Sequence, residues 1–549
     1  MPVNDDPAAE KGAVQETNPG NEPPKNIVIC SDGTGNAGGQ GYPTNVWAIY
    51  NAIDINGHET DPGIPRQIAF HDDGVGTESW KPLKVAGGAF GLGLSRNIRQ
   101  LYSMVAKNFN DGDRIYLFGF SRGAFTVRSL AGLIASQGIL DIRSPNIQGP
   151  KEFKEAVKWT YRQYRAAHRK KTYRRFPDEK TLKGKIVAFF DLPKYLWLAW
   201  DGMRDALGKD HHKNHKYHRP KKGEKHIACI GVWDTVDAVG VPMDWMREVL
   251  DYFFRNNFHQ AGLNPDIGRG YHALAIDDER KTFHPVMWKE DEKDTGRVKQ
   301  VWFAGVHSNV GGGYPKQGLA QVSLHWMMNE IERDRVGRYG LHFKDGALKE
   351  VAADANPHDM LYDSRKGPAG LYRYGPRNIG KISHDYCSDR VPLIHDSVFE
   401  RIWRHTHAYA PGNIPRDVTV ATTVDPRAAP EVKAAALPAG TYEEFLAKHY
   451  QKYESRLKGA AKLITVRRIV YILFLTSLLA IAVFAAKSYE GNFITCFDSI
   501  RDCGENALRT FYDKEPAVLI SFLTFLALLF LLRTILRSWA QKLFGRYWW

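Results

Sequence analysis

Arg114-Ile115-Tyr116-Leu117-Phe118-Gly119-Phe120-Ser121-Arg122-Gly123 reads as a buried strand that runs straight into a G-x-S-x-G turn. The segment behind it, 124–136, has the pattern of a helix. Strand, tight turn and helix in that order predict a nucleophile elbow, the device by which an α/β-hydrolase-like sheet presents a serine. The turn is so sharp that the residues two before and two after the serine must be small, and Gly119 and Gly123 meet that demand. Such a turn lifts the Ser121 hydroxyl above the sheet edge. It also aims the first helical N–H groups, beginning with that of Arg122, at a developing oxyanion.

Working outward, strand and helix patterns alternate. Residues 26–30 and 67–70 read as strands, 95–109 as an amphipathic helix, and 226–233 and 298–306 as further strands. This alternation predicts an α/β fold with a mostly parallel sheet and helices on both faces. The Gly-rich residues 84–94 read as a lid or packed loop. The first strand opens into Ser31-Asp32-Gly33-Thr34-Gly35-Asn36, where Gly33 and Thr34 are the candidates for the second oxyanion donor. Asp32-Gly33-Thr34 also has the form of a phosphatase aspartate loop, but that chemistry needs an aspartate two positions earlier, where Cys30 stands.

A serine nucleophile needs a base, and the base needs an orienting carboxylate. In this fold the chain order is Ser, Asp or Glu, His, each after its own strand. Ile227-Ala228-Cys229-Ile230-Gly231-Val232-Trp233-Asp234 presents Asp234 as its apolar run stops. Val301-Trp302-Phe303-Ala304-Gly305-Val306-His307 presents His307 in the same way. The expected triad is therefore Ser121, Asp234 and His307. His395 is the alternative base and Asp237 a weaker alternative acid.

The 549 residues carry a formal charge of +14, unevenly spread. Residues 151–222 hold 21 Lys/Arg against 8 Asp/Glu, a net +13 within a long insertion, 141–224. That charge predicts an anionic partner, membrane lipid rather than nucleic acid, because neither an aromatic RNA-binding signature nor zinc-finger spacing accompanies it. The first part of the insertion reads as a basic, Tyr-rich helix, and its aromatic stretch 186–203 fits the membrane interface. His211, His212, His215 and His218 form a run that reads as solvated rather than metal-ligating, so no metal and no cofactor is expected.

The first 25 residues are polar, lack the features of a signal peptide, and read as a disordered leader before a hydrolase domain spanning 26–460. Near the other end, 469–486 is uncharged and 517–532 is uncharged and extends to 536 past Arg533. A helix rises about 1.5 Å per residue and needs roughly 20 residues to cross a bilayer. Residues 461–549 therefore read as a two-helix transmembrane hairpin, with spans of about 469–486 and 517–536. Basic residues flank the outer ends, and the connecting loop, 487–515, has four basic and six acidic residues. The positive-inside rule then places both ends, and the hydrolase domain, in the cytoplasm. Cys496 and Cys503 would lie on the far side, where a disulfide is feasible. Cys30, Cys229 and Cys387 read as reduced thiols.

Several segments together resemble one family. They are Asp32-Gly33-Thr34 with Asn36, Gly74-Val75-Gly76-Thr77, Gly119 to Ala124, Gly231 to Val236, Ala275-Ile276-Asp277-Asp278-Glu279-Arg280 with Phe283 and Pro285, and Trp302 to His307 with Gly311-Gly312-Gly313-Tyr314. The set is similar to the catalytic domain of the type VI secretion phospholipase effectors (Tle-like), an α/β-hydrolase domain formerly of unknown function. The resemblance implies a Ser-Asp-His esterase acting on phospholipids or related esters, with Ser121, Asp234 and His307 in those roles. One departure is His307-Ser308-Asn309, where the family usually carries His-Ser-Asp. A carboxylesterase or thioesterase on a soluble substrate, and a silent membrane scaffold, are the competing expectations.

Overall fold

The computed structural model describes residues 23–33, 41–73, 88–172, 215–221, 223–236, 262–291, 294, 296–333, 340–365, 372, 375–387, 391–409, 411–415, 417–423, 466, 469–485 and 509–545. Its centre is an eight-stranded sheet. In chain order the strands are β1 (Asn26–Ser31), β2 (Gln67–Asp72), β3 (Arg114–Phe120), β6 (Ile227–Trp233), β7 (Ile267–Ala275), β8 (Val298–Phe303), β9 (Leu393–His395) and β10 (Thr419–Ala421). The spatial order is β10-β9-β8-β7-β6-β3-β1-β2, and every pairing is parallel. A separate two-residue ladder joins β4 (Ile139–Leu140) to β5 (Tyr217–His218).

Period-two alternation explains why the sheet is covered on both faces. Along β1 and β3, Ile27, Ile29, Ile115 and Leu117 enter one core with Leu130 of the elbow helix, α3 (Arg122–Gln137). Val28, Cys30, Tyr116, Phe118 and Phe120 enter the opposite core with Val46 of α1 (Asn45–Ala52) and Trp326 of α6 (Gly318–Arg333). The chain leaves β1 for β2 on one side and returns to β3 on the other. The carboxyl ends of β1 and β3 therefore flank a topological switch point, where parallel sheets bind ligands.

Three expectations change. The helix expected over 95–109 starts earlier: α2 spans Gly88–Asn108, so much of the Gly-rich stretch is helical. The basic insertion is in part integral to the fold. Its first half forms α4 (Pro150–Thr172), and Phe153, Ala156, Val157, Tyr161 and Tyr164 sit in the main core while Lys151 and Lys154 face solvent. The amphipathic period reconciles a strongly basic segment with a buried face. At the C-terminal end, among the described residues, one helix is long and apolar enough to cross a membrane, Pro516–Leu536, while the other apolar helix is the shorter Ile469–Ala485. The two pack together. Val470, Phe474 and Ile481 meet Leu519, Leu526 and Leu536, with the Arg533 guanidinium over the Tyr471 ring. Tyr471 meeting Arg533, and Phe484 meeting Phe511 and Phe522, make the pair antiparallel.

The leader 1–22, Thr34, Gly74 to Thr77, Asp237, Cys496, Cys503, the aromatic stretch 186–203, and His211 and His212 lie outside the described residues.

Candidate active site

The elbow is built from three strands. β3 pairs with β1 on one side and β6 on the other, and the Ser121 N–H donates to Trp233 O at 3.0 Å. Ser121 itself sits at φ 58, ψ −119, a conformation that a residue with a side chain rarely holds. Strain of this kind costs about 1–3 kcal/mol and persists only where the surroundings impose it. Here they do. A Cβ at Gly119 would lie 2.7 Å from the Ala124 backbone, and one at Gly123 would collide with the carbonyl oxygens of Ser31 and Asp32. The elbow helix is thus pressed onto the end of β1.

Asp234 leaves β6 at φ 39 and is fully buried. Its Oδ2 lies 2.6 Å from His307 Nδ1. Its Oδ1 accepts from the Ala275 N–H at 3.0 Å. The buried Arg377 guanidinium grips both oxygens, Nη1 to Oδ1 at 2.6 Å and Nη2 to Oδ2 at 2.8 Å. Burial alone would push this carboxyl up. The Arg377 charge and hydrogen bonds, joined by those of His307, outweigh burial and hold it well below the usual carboxylate range.

His307 opens a five-residue helix, α5 (His307–Gly311), directly after β8. Burial pushes its imidazole below the ordinary histidine value, and the bond and charge of Asp234 only partly oppose this. With Nδ1 committed to Asp234, the buried Nε2 has no hydrogen-bond partner among the described residues. The ring rests 4.6 Å from Phe120, the residue before Ser121, and 5.2 Å from Phe283, centroid to centroid. Those contacts place the imidazole at the carboxyl ends of β3 and β8, beside the elbow.

Two adjacent carboxylates hold the segment that carries His307. Asp277 Oδ2 accepts from the Gly305 N–H at 2.6 Å, and Asp278 Oδ2 accepts from the His307 N–H at 3.2 Å. Asp278 is also doubly bonded to Arg280, whose guanidinium lies 3.5 Å from the Phe283 ring centroid. Burial pushes Asp277 up to about 7, against the Gly305 and Tyr409 hydrogen bonds. Asp277-Asp278 was legible as a motif, but nothing in the sequence indicated that alternate amides of a distant turn were its target.

Asn309 completes this support. Its Oδ1 accepts from the Val306 and Tyr362 N–H groups, and its Nδ2 donates to Met360 O at 3.0 Å. An aspartate cannot donate to that carbonyl, so the departure from His-Ser-Asp has a local reason. Asn309→Asp is expected to lower stability by about 1–3 kcal/mol at neutral pH, by leaving Met360 O unpaired and burying a charge. Urea denaturation at pH 7 checks it, and an unchanged midpoint would refute this role.

The remaining expected residues fall as follows. Arg122 is the first residue of the elbow helix, and burial pushes its guanidinium down to about 10, with Tyr372 opposing. The Gly33 N–H is bonded to its neighbour's Asp32 Oδ1 at 2.7 Å, so it would have to exchange partners to serve an oxyanion. Asp32 is tied to Thr44 Oγ1 at 2.7 Å. His395 lies at the end of β9, where its Nδ1 meets Ser397 Oγ and its Nε2 meets Thr423 Oγ1, both at 2.8 Å. Neither nitrogen touches Asp234. His218 is bonded to Asp111 at 2.7 Å. Arg377 was missed: it lies in Gly375-Pro376-Arg377-Asn378, a loop with no periodicity to mark it.

The sequence model of the T6SS phospholipase effector Tle1-like catalytic domain matches residues 25–330. The uncharacterized protein YEL023C of Saccharomyces cerevisiae is 21% identical over 436 residues, covering 61% of this chain and 61% of its own length. A crystal structure of an uncharacterized protein from Pseudomonas aeruginosa shares 15% identity at a TM-score of 0.33, covering 60% of this chain and 48% of that one. The chain therefore spans about three-fifths of the yeast relative and about half of the bacterial one.

Proposed function

Because the chain belongs to the T6SS phospholipase effector Tle1-like catalytic domain family, we propose that it is a membrane-anchored serine hydrolase that cleaves phospholipid acyl esters. Ser121 Oγ attacks the ester carbonyl. His307 Nε2 takes the hydroxyl proton and returns it to the leaving alcohol, leaving an acyl-enzyme on Ser121. Asp234 fixes the tautomer with the proton on Nδ1 and stabilises the imidazolium. The Arg122 N–H, with a second donor from the Gly33-Thr34 turn, stabilises the tetrahedral oxyanion. Water then attacks the acyl-enzyme through the same base.

The observation that carries this reading is the 2.6 Å bond between His307 Nδ1 and Asp234. It leaves a buried Nε2, without a partner among the described residues, at the same end of the sheet as the strained Ser121. The C-terminal helices support the anchor. We read both as spans, with Ile469–Ala485 near the short limit for a bilayer and the hydrolase domain on the cytoplasmic side. The basic 151–222 segment would then lie toward anionic lipid.

The test combines a fluorophosphonate probe with a substrate panel. The full chain in detergent should label at Ser121 and hydrolyse phospholipid in mixed micelles faster than a soluble short-chain thioester. Labelling without phospholipid turnover would favour the soluble-substrate esterases, and no labelling would favour a scaffold. The pH dependence is also fixed in sign. The base works unprotonated, so kcat/KM for a short-chain ester should rise with pH through an inflection below the ordinary histidine value of 6.5. An acid limb centred above 7 would remove His307 from the role.

A further inference from the structure

Arg377 reaches the site from a loop after the matched residues 25–330 and is fully buried. Besides gripping both oxygens of Asp234, it donates through Nη1 to Ala275 O and through Nη2 to Phe283 O, both at 2.5 Å. One guanidinium thus joins the end of β7, the 281–283 turn and the Asp234 carboxylate. Its Nε is buried without a partner among the described residues. A buried arginine with an unsatisfied N–H is a poor way to gain stability, and replacing such a pair by apolar side chains is often neutral or favourable. Its presence at this site therefore calls for a geometric explanation.

We propose that Arg377 is a positioning residue of the hydrolase, whose planar fork fixes the Asp234 carboxylate so that His307 is held in one orientation. The proposal rests on the reading of Ser121, Asp234 and His307 as the catalytic set. Its logic is that of a carboxylate held on both sides. A lone buried carboxylate can rotate about its Cβ–Cγ bond and swing the imidazole with it. Arg377 and the Ala275 N–H block that rotation. The guanidinium also takes up part of the carboxylate charge that would otherwise fall on the imidazole.

Among the described residues, the other charged groups near His307 come from one element, the turn after β7. Asp278 is bonded to the His307 amide, and Arg280 is bonded to Asp278. These two balance each other, and Phe120 and Phe283 supply apolar walls. His272 near Asp234 is held down to about 3, chiefly by burial and next by the Arg128 charge, and stays neutral. Arg377 is thus the cation that divides the Asp234 charge with His307.

The test compares Arg377→Met, Arg377→Lys and Ser121→Ala with the unaltered full chain in detergent, with fluorophosphonate labelling rate read against pH. Ser121→Ala must not label; if it labels, the catalytic reading itself fails, whatever Arg377 does. Given that control, Arg377→Met should move the acid limb upward by about one pH unit, because the whole carboxylate charge then acts on the imidazole. Arg377→Lys keeps the charge but loses the fork. It should keep the acid limb near its original place and lower the plateau rate about tenfold or more. A Met variant whose acid limb matches the unaltered chain overturns the proposal. So does a Lys variant at the original plateau rate, and that reading stands even where the Met variant does not fold.

Discussion

Ser121→Ala is expected to abolish hydrolysis, lowering the rate by about 10⁴- to 10⁶-fold, with a melting temperature close to that of the unaltered chain. The size follows from the role: without the hydroxyl no acyl-enzyme forms, and only substrate binding and the oxyanion donors remain to help water. The small stability change follows from the surroundings. The Ser121 side chain does not cap the elbow helix, and alanine meets the same positive φ that serine already endures. Turnover of a phospholipid and of a short-chain ester, alongside a thermal melt, checks both halves. Residual activity within tenfold of the unaltered chain would end the assignment of Ser121 as nucleophile.

The second large effect is at Asp234. Asp234→Asn should cost about 10⁴ in rate, because an amide can stabilise the wrong imidazole tautomer and cannot offset the imidazolium charge. It should also destabilise the fold by about 3–5 kcal/mol, because the buried Arg377 loses its counter-charge. The pH dependence has a definite sign. The folded carboxyl is held below its ordinary 3.8, so its contribution to stability is present above that value and is lost as pH falls through the folded value. The asparagine variant should lack that component of the acid transition. His395→Ala is the control, expected to change turnover less than tenfold, since both its nitrogens are occupied by hydroxyls. Denaturation followed from pH 7 down to well below pH 3, with turnover at pH 7.5, measures all of this. An Asp234→Asn enzyme within tenfold of the original rate would show that another carboxylate orients the base.

The elbow could be read from the sequence because its constraints are local: an apolar strand, two small residues and a helix. Asp234 and His307 could be read because each ends an apolar run. What stayed hidden depends on long-range contact. β7 carries Gly268, Gly270 and His272 within Ile267–Ala275, a pattern that does not look like a central strand. Gly268 is there because a Cβ would collide with Ala228 O of the neighbouring strand. β9 and β10 are three residues each, too short for a period to register. Arg377 lies 143 residues from its carboxylate, and only the folded sheet brings them together. The charge of 151–222 was visible, but the buried tyrosine face of its first helix was masked by the number of cations around it.

The distance between Arg377 and the rest of the site has a consequence for the order of biosynthesis. A growing chain releases Ser121, Asp234 and His307 before Arg377, and β9 and β10, which complete the sheet edge, come later still. Parallel pairings between distant segments, such as Ile115 with Ile227, form slowly because long loops must close first. A ribosome-bound intermediate can thus hold all three side chains of the proposed triad while its Asp234 is still without its cation. On the proposed mechanism, hydrolytic competence should arrive late, as a step once residues through Ala421 have emerged, rather than growing with chain length.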